Sequence, residues 1–299
     1  MSENLVGIDI GGTKILIILI KNNGEILKRI EFPMINKKYT VVLSKISSVL
    51  KSIGNFKSIG IGIAGDIDSE NGIMRYSPNL PCWKNVKLKK YFESNLRVKT
   101  AVDNDANCAA YGSYILDGKR KYKNLITLSL GTGIGGGIII NGNLYRGATG
   151  SAGELGHITI NPAGPKCSCG NYGCIEAYIG KTGRLRIAKQ MGFSKKYLDI
   201  KLLGKLSRKG NKKATAVFKR ISFYLSIGIN NIINVFNPDM ITFTGGFSNA
   251  WNLLRINLTK ELKKRTFKTP LKHVKIIKSN YSQDIGAIGA AYLGAELKK

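Results

Sequence analysis

Acidic residues are scarce in this chain of 299 residues, in which 47 Lys and Arg outnumber 18 Asp and Glu and the formal net charge is +29. Such a charge indicates either a nucleic-acid or other anionic partner, or a lysine-rich composition spread over solvated surfaces. No recognised nucleic-acid-binding motif accompanies the charge. We therefore favour the second interpretation and expect no nucleic-acid partner.

Long apolar runs are also missing. The longest one near the start, 15–20, is far too short to cross a bilayer. Residues 1–4 carry no positive charge ahead of an apolar run, unlike a secretory signal. We therefore expect a cytosolic protein without a membrane partner.

The odd number of cysteines, five, argues against a disulfide framework in such a chain. Cys82 and Cys108 have no neighbouring cysteine and are interpreted as small core residues.

The length favours two domains, because a single core rarely organises so many residues. No low-complexity linker divides the chain, so we expect a hinge rather than a tether. Apolar runs bounded by glycine and asparagine predict strands, and longer amphipathic runs predict helices. The predicted strands are 5–10, 15–21, 26–32, 58–63, 98–102, 125–130, 138–140 and 240–244. The predicted helices are 40–53, 106–116, 214–235, 249–265 and 285–297, with a loop-rich stretch at 146–173.

Two glycine turns follow predicted strands. In the first, Asp9 precedes Gly11-Gly12-Thr13-Lys14, where backbone N–H groups can approach phosphate oxygens and a carboxylate can hold Mg²⁺ through water. Alone, this motif slightly favours an ordinary hairpin. The second turn, 131–137, matches the dinucleotide pattern G-x-G-x-x-G, but a strand follows where that pattern needs a helix. Gly180-Lys181-Thr182 lacks the earlier glycine of a P-loop.

Asn104 and Asp105 stand where a predicted strand ends and a helix begins. A phosphoryl-transfer enzyme needs a carboxylate within reach of the acceptor hydroxyl, to orient it and take its proton. Asp and Asn are also the preferred residues at a helix N-cap. Spacing alone leaves the catalytic base and the cap equally open for this pair.

His157, Cys167, Cys169 and Cys174 form the pattern H-x9-C-x-C-x4-C. One imidazole and three thiolates suit tetrahedral Zn²⁺, and four protein ligands leave no open position for catalysis. The pattern therefore predicts a structural zinc ion that fixes a loop poor in apolar residues. The alternative is a set of reduced cysteines without a metal.

Nine segments together resemble the sugar kinases of the ROK family (repressor, open reading frame, kinase), within the actin-like, ribonuclease-H-like ATPase superfamily. They are GIDIGGTK, GIGIAGDID, SPNLPCW, DNDANCAAYGS, LGTGIGGGIIING, GELGH, CSCGNYGCIEAY, FNPDMITFTGG and DIGAIGAAYLG, and they span nearly the whole chain. The resemblance implies an α/β fold with two actin-like domains around a cleft. The smaller domain would be 1–117, joined by 285–299, and the larger one, with the zinc loop and the nucleotide, would be 118–284.

The resemblance also assigns the sites. Asp105 would be the catalytic base. The sugar would be bound by Gly65, Asn79, Asn104, Asp105, Glu154, His157 and Glu176. ATP, with Mg²⁺, would be bound by Asp9, Gly11, Gly12, Thr13, Lys14, Gly131, Thr132, Gly133, Gly245, Gly246 and Phe247. A ring nitrogen of His157 not used by zinc could donate to the sugar.

The implied reaction is phosphorylation of glucose at its 6-hydroxyl. N-acetylmannosamine, fructose, mannose and allose are alternatives, because the same Glu and His residues recur among their kinases. The run Ala64-Gly65-Asp66 departs from the family pattern, in which proline often precedes the glycine, so the loop beside the sugar does not fix the substrate. The family also contains sugar-responsive repressors. These carry an N-terminal helix-turn-helix domain, for which the chain before Gly7 leaves no room. A non-catalytic regulator conflicts with the retention of Asp105. Homodimers are common in the family.

Overall fold

The computed structural model describes residues 4–35, 37–194, 198–281 and 283–297, in which strands and helices alternate. The strands are β1 (Leu5–Ile10), β2 (Lys14–Ile20), β3 (Ile26–Pro33), β4 (Ser58–Ile63), β5 (Asp66–Asp68), β6 (Ile73–Tyr76), β7 (Lys84–Lys87), β8 (Lys99–Asn104), β9 (Leu125–Leu130), β10 (Ile134–Ile140), β11 (Asn143–Leu144), β12 (Met240–Thr244) and β13 (Lys275–Lys278). The helices are α1 (Tyr39–Ile53), α2 (Leu88–Leu96), α3 (Asp105–Leu116), α4 (Ile175–Ile179), α5 (Lys181–Gln190), α6 (Ile200–Arg208), α7 (Lys212–Phe236), α8 (Trp251–Arg265), α9 (Lys268–His273) and α10 (Ile285–Ala295).

The chain forms two compact units. The first comprises Met1–Thr127, Gly137–Gly153 and Gln283–Lys299, and the second comprises Leu128–Gly136 and Glu154–Ser282. Within the described residues, no helix combines the length and the apolar character that crossing a bilayer requires.

The sheet of the first unit has the strand order β3-β2-β1-β4-β8. Strand β2 runs antiparallel to β1 and β3, whereas β1, β4 and β8 run parallel to one another. Strands β1 and β4 are almost completely buried, as expected for parallel strands covered on both faces. The carboxyl ends of these parallel strands therefore meet at one edge of the sheet.

Helix α10 packs directly on this sheet. A Cβ atom added to Gly60 in β4 would lie 1.6 Å from the carbonyl oxygen of Ala290 in α10. Only a glycine permits so close an approach of helix and strand. The packing explains why α10 can be almost entirely apolar and buried, and it ties the end of the chain to the first strands.

The other large sheet repeats this arrangement with the order β11-β10-β9-β12-β13. Strand β10 runs antiparallel to β11, and β12 runs parallel to β13. The predicted strands on either side of the two glycine turns, 5–10 with 15–21 and 125–130 with 138–140, agree with this similarity. The glycine turn predicted over 131–137 is too long, because β10 already begins at Ile134. Gly137 belongs to the strand, where a Cβ would lie 2.5 Å from the carbonyl oxygen of Ala106.

Two further features differ from the prediction. Strands β5, β6 and β7 form a small antiparallel sheet that the sequence did not reveal, because each strand has only three or four residues and too short an alternation to recognise. Cys108 is buried as predicted, but Cys82 is exposed. The neighbouring Trp83 fills the core instead, and its ring N–H donates to the Lys37 carbonyl at 2.7 Å.

Candidate functional site

The parallel strands of the first unit bring several predicted site residues to one edge. Ile10 at the end of β1 is level with Ile63 at the end of β4, which in turn is level with Asn104 at the end of β8. The first glycine turn, Gly65 and Asp105 follow these strand ends in the chain. The crevice beyond the carboxyl ends of parallel strands is where α/β proteins bind their ligands.

Asn104 caps helix α3 and leaves Asp105 as the first helical residue. The side-chain oxygen of Asn104 accepts from the N–H groups of Ala106 at 2.9 Å and Asn107 at 3.4 Å. Its amide nitrogen donates to the Gly65 carbonyl at 3.0 Å. Asn104 therefore orders the helix start and the Gly65 loop together. The carboxylate of Asp105 is half-buried and accepts from the Ala106 N–H at 2.9 Å.

Gly65 occupies a backbone conformation that other residues rarely adopt. Its φ is +150°, and an added Cβ would lie 2.5 Å from the Tyr76 carbonyl oxygen. The glycine is thus required by the path of the chain. Near the first glycine turn, an added Cβ on Gly12 would lie 3.0 Å from the Cβ of Asn79. Asn79 therefore lies beside this turn.

Asp9 interacts electrostatically with a second carboxylate. Burial, followed by the negative charge of Asp105, raises the pKa of Asp9 to about 7, and Lys14 acts in the opposite direction. Lys14 itself is paired with Glu31 at 3.0 Å and is largely exposed. The turn between Asp9 and Lys14 is closed by a hydrogen bond from the Gly11 N–H to the Lys14 carbonyl at 3.0 Å, and the Thr13 carbonyl accepts from the Met34 N–H. Two adjacent carboxylates of this kind favour a shared proton or a bound cation.

A buried ion pair next to these residues was not predicted. Oδ2 of Asp103 accepts from Nε of Arg146 at 2.8 Å and pairs with Nη2 at 2.7 Å. Oδ1 of Asp103 accepts from the Asn104 N–H at 2.8 Å and from the Asn107 amide at 2.9 Å. Only 4% of the Asp103 side chain is exposed, and the partly exposed Arg146 supplies the counter-charge of this buried carboxylate. The pair anchors the end of β8 immediately before Asp105.

In the second unit, the predicted metal ligands form one cluster. Nδ1 of His157 lies 3.6 Å from Sγ of Cys167, and Sγ of Cys169 lies 3.7 Å from Sγ of Cys174. The four ligand atoms lie within 4.8 Å of one another. A tetrahedral zinc ion with Zn–S bonds of about 2.3 Å needs sulfur atoms about 3.8 Å apart. The cluster could therefore hold a metal ion of this size and geometry.

The predicted sugar-binding residues of this unit surround the cluster. Nε2 of His157, the ring nitrogen that does not face Cys167, lies 3.8 Å from the carboxylate of the exposed Glu154. Glu176 accepts from the Ile134 N–H at 2.8 Å with Oε2 and from the Ser168 hydroxyl at 2.8 Å with Oε1. The second glycine turn also contacts Glu176, because a Cβ on Gly133 would lie 2.3 Å from its Oε2.

A cavity of about 660 Å³ lies in the same unit. Four of the predicted nucleotide-binding residues line it: Gly131, Thr132, Gly246 and Phe247. Gly245 begins the turn that carries the last two, with φ of +78°. Sequence reasoning missed the cationic residues of the wall, namely Lys181, Arg184, Lys201, Lys205 and Arg208. Their positions on α5 and α6 resemble those of ordinary surface residues. A cavity of about 710 Å³ between α8 and β13 contains none of the predicted site residues.

Comparison with known proteins places this geometry in a family. The ROK family model matches residues 5–296. The glucokinase of Thermotoga maritima is 31% identical over 304 residues, covering 96% of both chains. The xylose repressor of Bacillus subtilis is 33% identical over 271 residues, covering 91% of this chain and 67% of the repressor.

The fold is shared with a solved enzyme. The ROK family glucokinase of Streptomyces griseus, in complex with glucose and AMPPNP, has a TM-score of 0.84 and 27% identity, with 98% of this chain and 99% of that chain covered. This likeness confirms the predicted fold class of two actin-like α/β domains. The family resemblance read from the sequence motifs is likewise confirmed, and the chain belongs to the ROK family.

Proposed function

We propose that this protein is an ATP-dependent hexose kinase that phosphorylates glucose at the 6-hydroxyl, with Asp105 as the catalytic base. The observation that carries the proposal is the pair of carboxylates, Asp105 and Asp9, at the carboxyl edge of the parallel strands. One carboxylate can accept the proton of an alcohol, while the other can hold a cation beside the phosphates. Similarity to glucokinases, including one crystallised with glucose and a nucleotide analogue, supports this assignment.

Asp105 is suited to the role of base by its surroundings. Asn104 makes the cap hydrogen bonds with its side-chain oxygen, so Asp105 is not needed for that purpose. The start of α3 and the Gly65 loop are fixed by the same amide, which limits the positions that the Asp105 carboxylate can take. In our proposal it orients the sugar hydroxyl and accepts its proton as the phosphoryl group is transferred. Asn104, Asn79 and Gly65 are the proposed sugar contacts of the first unit.

Magnesium fits Asp9. The raised pKa of Asp9 reflects burial and a second negative charge nearby, both of which a divalent cation would offset. When bound with the nucleotide, Mg²⁺ neutralises phosphate charge. The N–H groups of Gly12 and Thr13, with Lys14, are the proposed phosphate contacts of this turn, and the Gly11 N–H holds the turn closed.

In the second unit, we assign the cavity lined by Gly131, Thr132, Gly246 and Phe247 to ATP, with Gly133 and Gly245 shaping its turns. Glu154, His157 and Glu176 are the proposed sugar contacts of this unit. The zinc ion held by His157 and the three cysteines would be structural, because all four positions of a tetrahedral ion are taken by protein. The cytosolic location and a homodimer remain predictions.

A sugar-responsive regulator is the second candidate. It is favoured by the 33% identity with a xylose repressor across most of this chain. A regulator would bind a sugar without transferring phosphate to it. Turnover therefore separates the two functions.

The test is a coupled ATP assay with glucose, N-acetylmannosamine, fructose, mannose, allose and xylose. We expect the highest kcat/KM with glucose. Asp105→Asn should lower kcat by about 10²- to 10⁴-fold, the usual contribution of a general base, while sugar binding measured by calorimetry stays close to normal. If the wild-type protein binds a sugar tightly but phosphorylates none of the panel, the kinase proposal is wrong and the regulator is favoured. Near-normal turnover of the variant would remove Asp105 from the mechanism.

A further inference from the structure

Arg184 in α5 is a buried cation without a carboxylate. The residue is 4% exposed, and within the described ranges 4–35, 37–194, 198–281 and 283–297 it takes part in no ion pair with Asp or Glu. Nε of Arg184 has no hydrogen-bond partner. A buried guanidinium normally finds a counter-charge, because removing it from water is costly. Among the residues that the structure describes, no carboxylate balances this charge.

The guanidinium is nevertheless held in a fixed position. Nη1 donates to the Ile179 carbonyl at 2.8 Å and Nη2 donates to the Gly131 carbonyl at 2.9 Å. The ring of Phe247 lies 4.0 Å from the guanidinium carbon and covers one of its faces. Burial lowers the pKa of Arg184 to about 10, so the group stays positive at neutral pH. The unbalanced charge is therefore preorganised.

Arg184 lines the 660 Å³ cavity beside Gly131 and Thr132. The other cations of the wall are Lys181, Lys201, Lys205 and Arg208, and Asp199 is the one acidic residue among the described lining residues. Oδ1 of Asp199 already accepts from the N–H groups of Lys201 at 2.6 Å and Leu202 at 3.0 Å. The wall thus carries five cationic side chains and one carboxylate that already accepts two backbone hydrogen bonds, which makes the cavity suited to a polyanion.

We propose that Arg184 binds a phosphate group of the donor nucleotide and that this phosphate is its missing counter-charge. The inference rests on the proposed kinase function, whose donor it makes specific. The Arg184 guanidinium donates to the Gly131 carbonyl and would also contact the phosphate. The same side chain would therefore fix the second glycine turn and bind the ligand. Its charge distinguishes it from the glycines of the turn, which offer only backbone donors.

The experiment compares three ligands by calorimetry in the presence of Mg²⁺: AMPPNP, inorganic tripolyphosphate and adenosine. The variants are Arg184→Met and, as a matched control, Arg186→Met. Arg186 is half-buried on the same helix, lies over the Tyr178 ring and is not part of the cavity wall. Arg184→Met should weaken AMPPNP and tripolyphosphate about 30-fold, as expected when one member of a buried charge pair is removed. Adenosine affinity should stay within about 3-fold, and the control variant should bind all three ligands normally.

Equal weakening of adenosine and AMPPNP would show that Arg184 only shapes the cavity, and unchanged AMPPNP binding would show that it meets no phosphate. Either result overturns the inference. If Arg184→Met does not fold, Arg184→Gln removes the charge but keeps an amide that can donate to one of the two carbonyls. The inference then requires a loss for the two phosphate ligands and none for adenosine, and an equal loss for all three contradicts it. Wild-type protein that binds AMPPNP but phosphorylates no hexose would refute the kinase function and leave the Arg184 inference standing. Wild-type protein that binds neither phosphate ligand would refute both.

Discussion

Removing Arg146 should leave the buried Asp103 carboxylate without its counter-charge. The charged groups of the pair are in contact, and at about 4 Å and an effective dielectric constant of about 20 their attraction is about 4 kcal/mol. Breaking a buried pair from one side costs about 3–5 kcal/mol. The Arg146 side chain is 35% exposed, so water can partly replace it. We therefore expect Arg146→Met to lower the free energy of unfolding by about 3 kcal/mol, the lower end of that range.

Urea unfolding followed by circular dichroism measures this loss, and a double-mutant cycle with Asp103→Asn isolates the pair. The asparagine side chain keeps an oxygen for the Asn104 N–H and the Asn107 amide but carries no charge. In the Asp103→Asn variant, Arg146→Met should lower the free energy of unfolding by only about 1 kcal/mol. The difference from the wild-type loss is a coupling energy of about 2 kcal/mol. Arg75→Met is the control, because Arg75 pairs with Asp66 at the surface and should change stability by less than about 1 kcal/mol. If Arg146→Met costs the same in the wild-type protein as in the Asp103→Asn variant, the ion pair does not stabilise the fold.

Two further predictions concern Asp9 and the metal cluster. Folding raises the pKa of Asp9 from 3.8 to about 7, so the ionised carboxylate opposes folding. This free-energy cost of ionised Asp9 is absent below the unfolded pKa, grows between pH 4 and 7, and is complete above pH 7. In buffer without divalent cations, Asp9→Asn should therefore stabilise the protein by up to about 4 kcal/mol at pH 8 and hardly at all at pH 4. Urea unfolding at both pH values measures the two effects, and equal effects would contradict the raised pKa. Metal analysis should find close to one zinc per chain, and Cys174→Ser or a strong chelator should remove it and lower the Tm; less than half an equivalent in active protein would count against the site.

The parts of the site that could be predicted are those encoded locally. The four predicted metal ligands lie within 18 residues of the chain, so their spacing alone predicted the cluster that the structure brings together. Asn104 and Asp105 follow an apolar run, which placed them at the end of a strand. The sequence could not decide which of the two caps the helix, since both residue types favour that position. The structure gives the cap to Asn104.

The parts that could not be predicted depend on residues distant in sequence. Arg146 meets Asp103 across 43 residues, and no pattern near either residue indicates the other. Arg184 reads as a helix-surface residue next to Arg186, yet its burial depends on how α5 packs beneath Phe247. Burial of a charged side chain is decided by tertiary packing rather than by local sequence. For this reason the buried Arg184 and the pairing of Arg146 with the buried Asp103 escaped prediction, whereas both glycine turns were recognised.

The hydrogen bonds of Glu176 connect the metal cluster to the second glycine turn. Ser168 stands between two of the thiolates and holds one oxygen of that carboxylate, and the other oxygen holds the N–H at the start of β10. If a metal ion occupies the cluster, its loss would loosen Ser168 and, through Glu176, the glycine turn before Ile134. A chelator should therefore weaken nucleotide binding at chelator concentrations at which the protein is still folded.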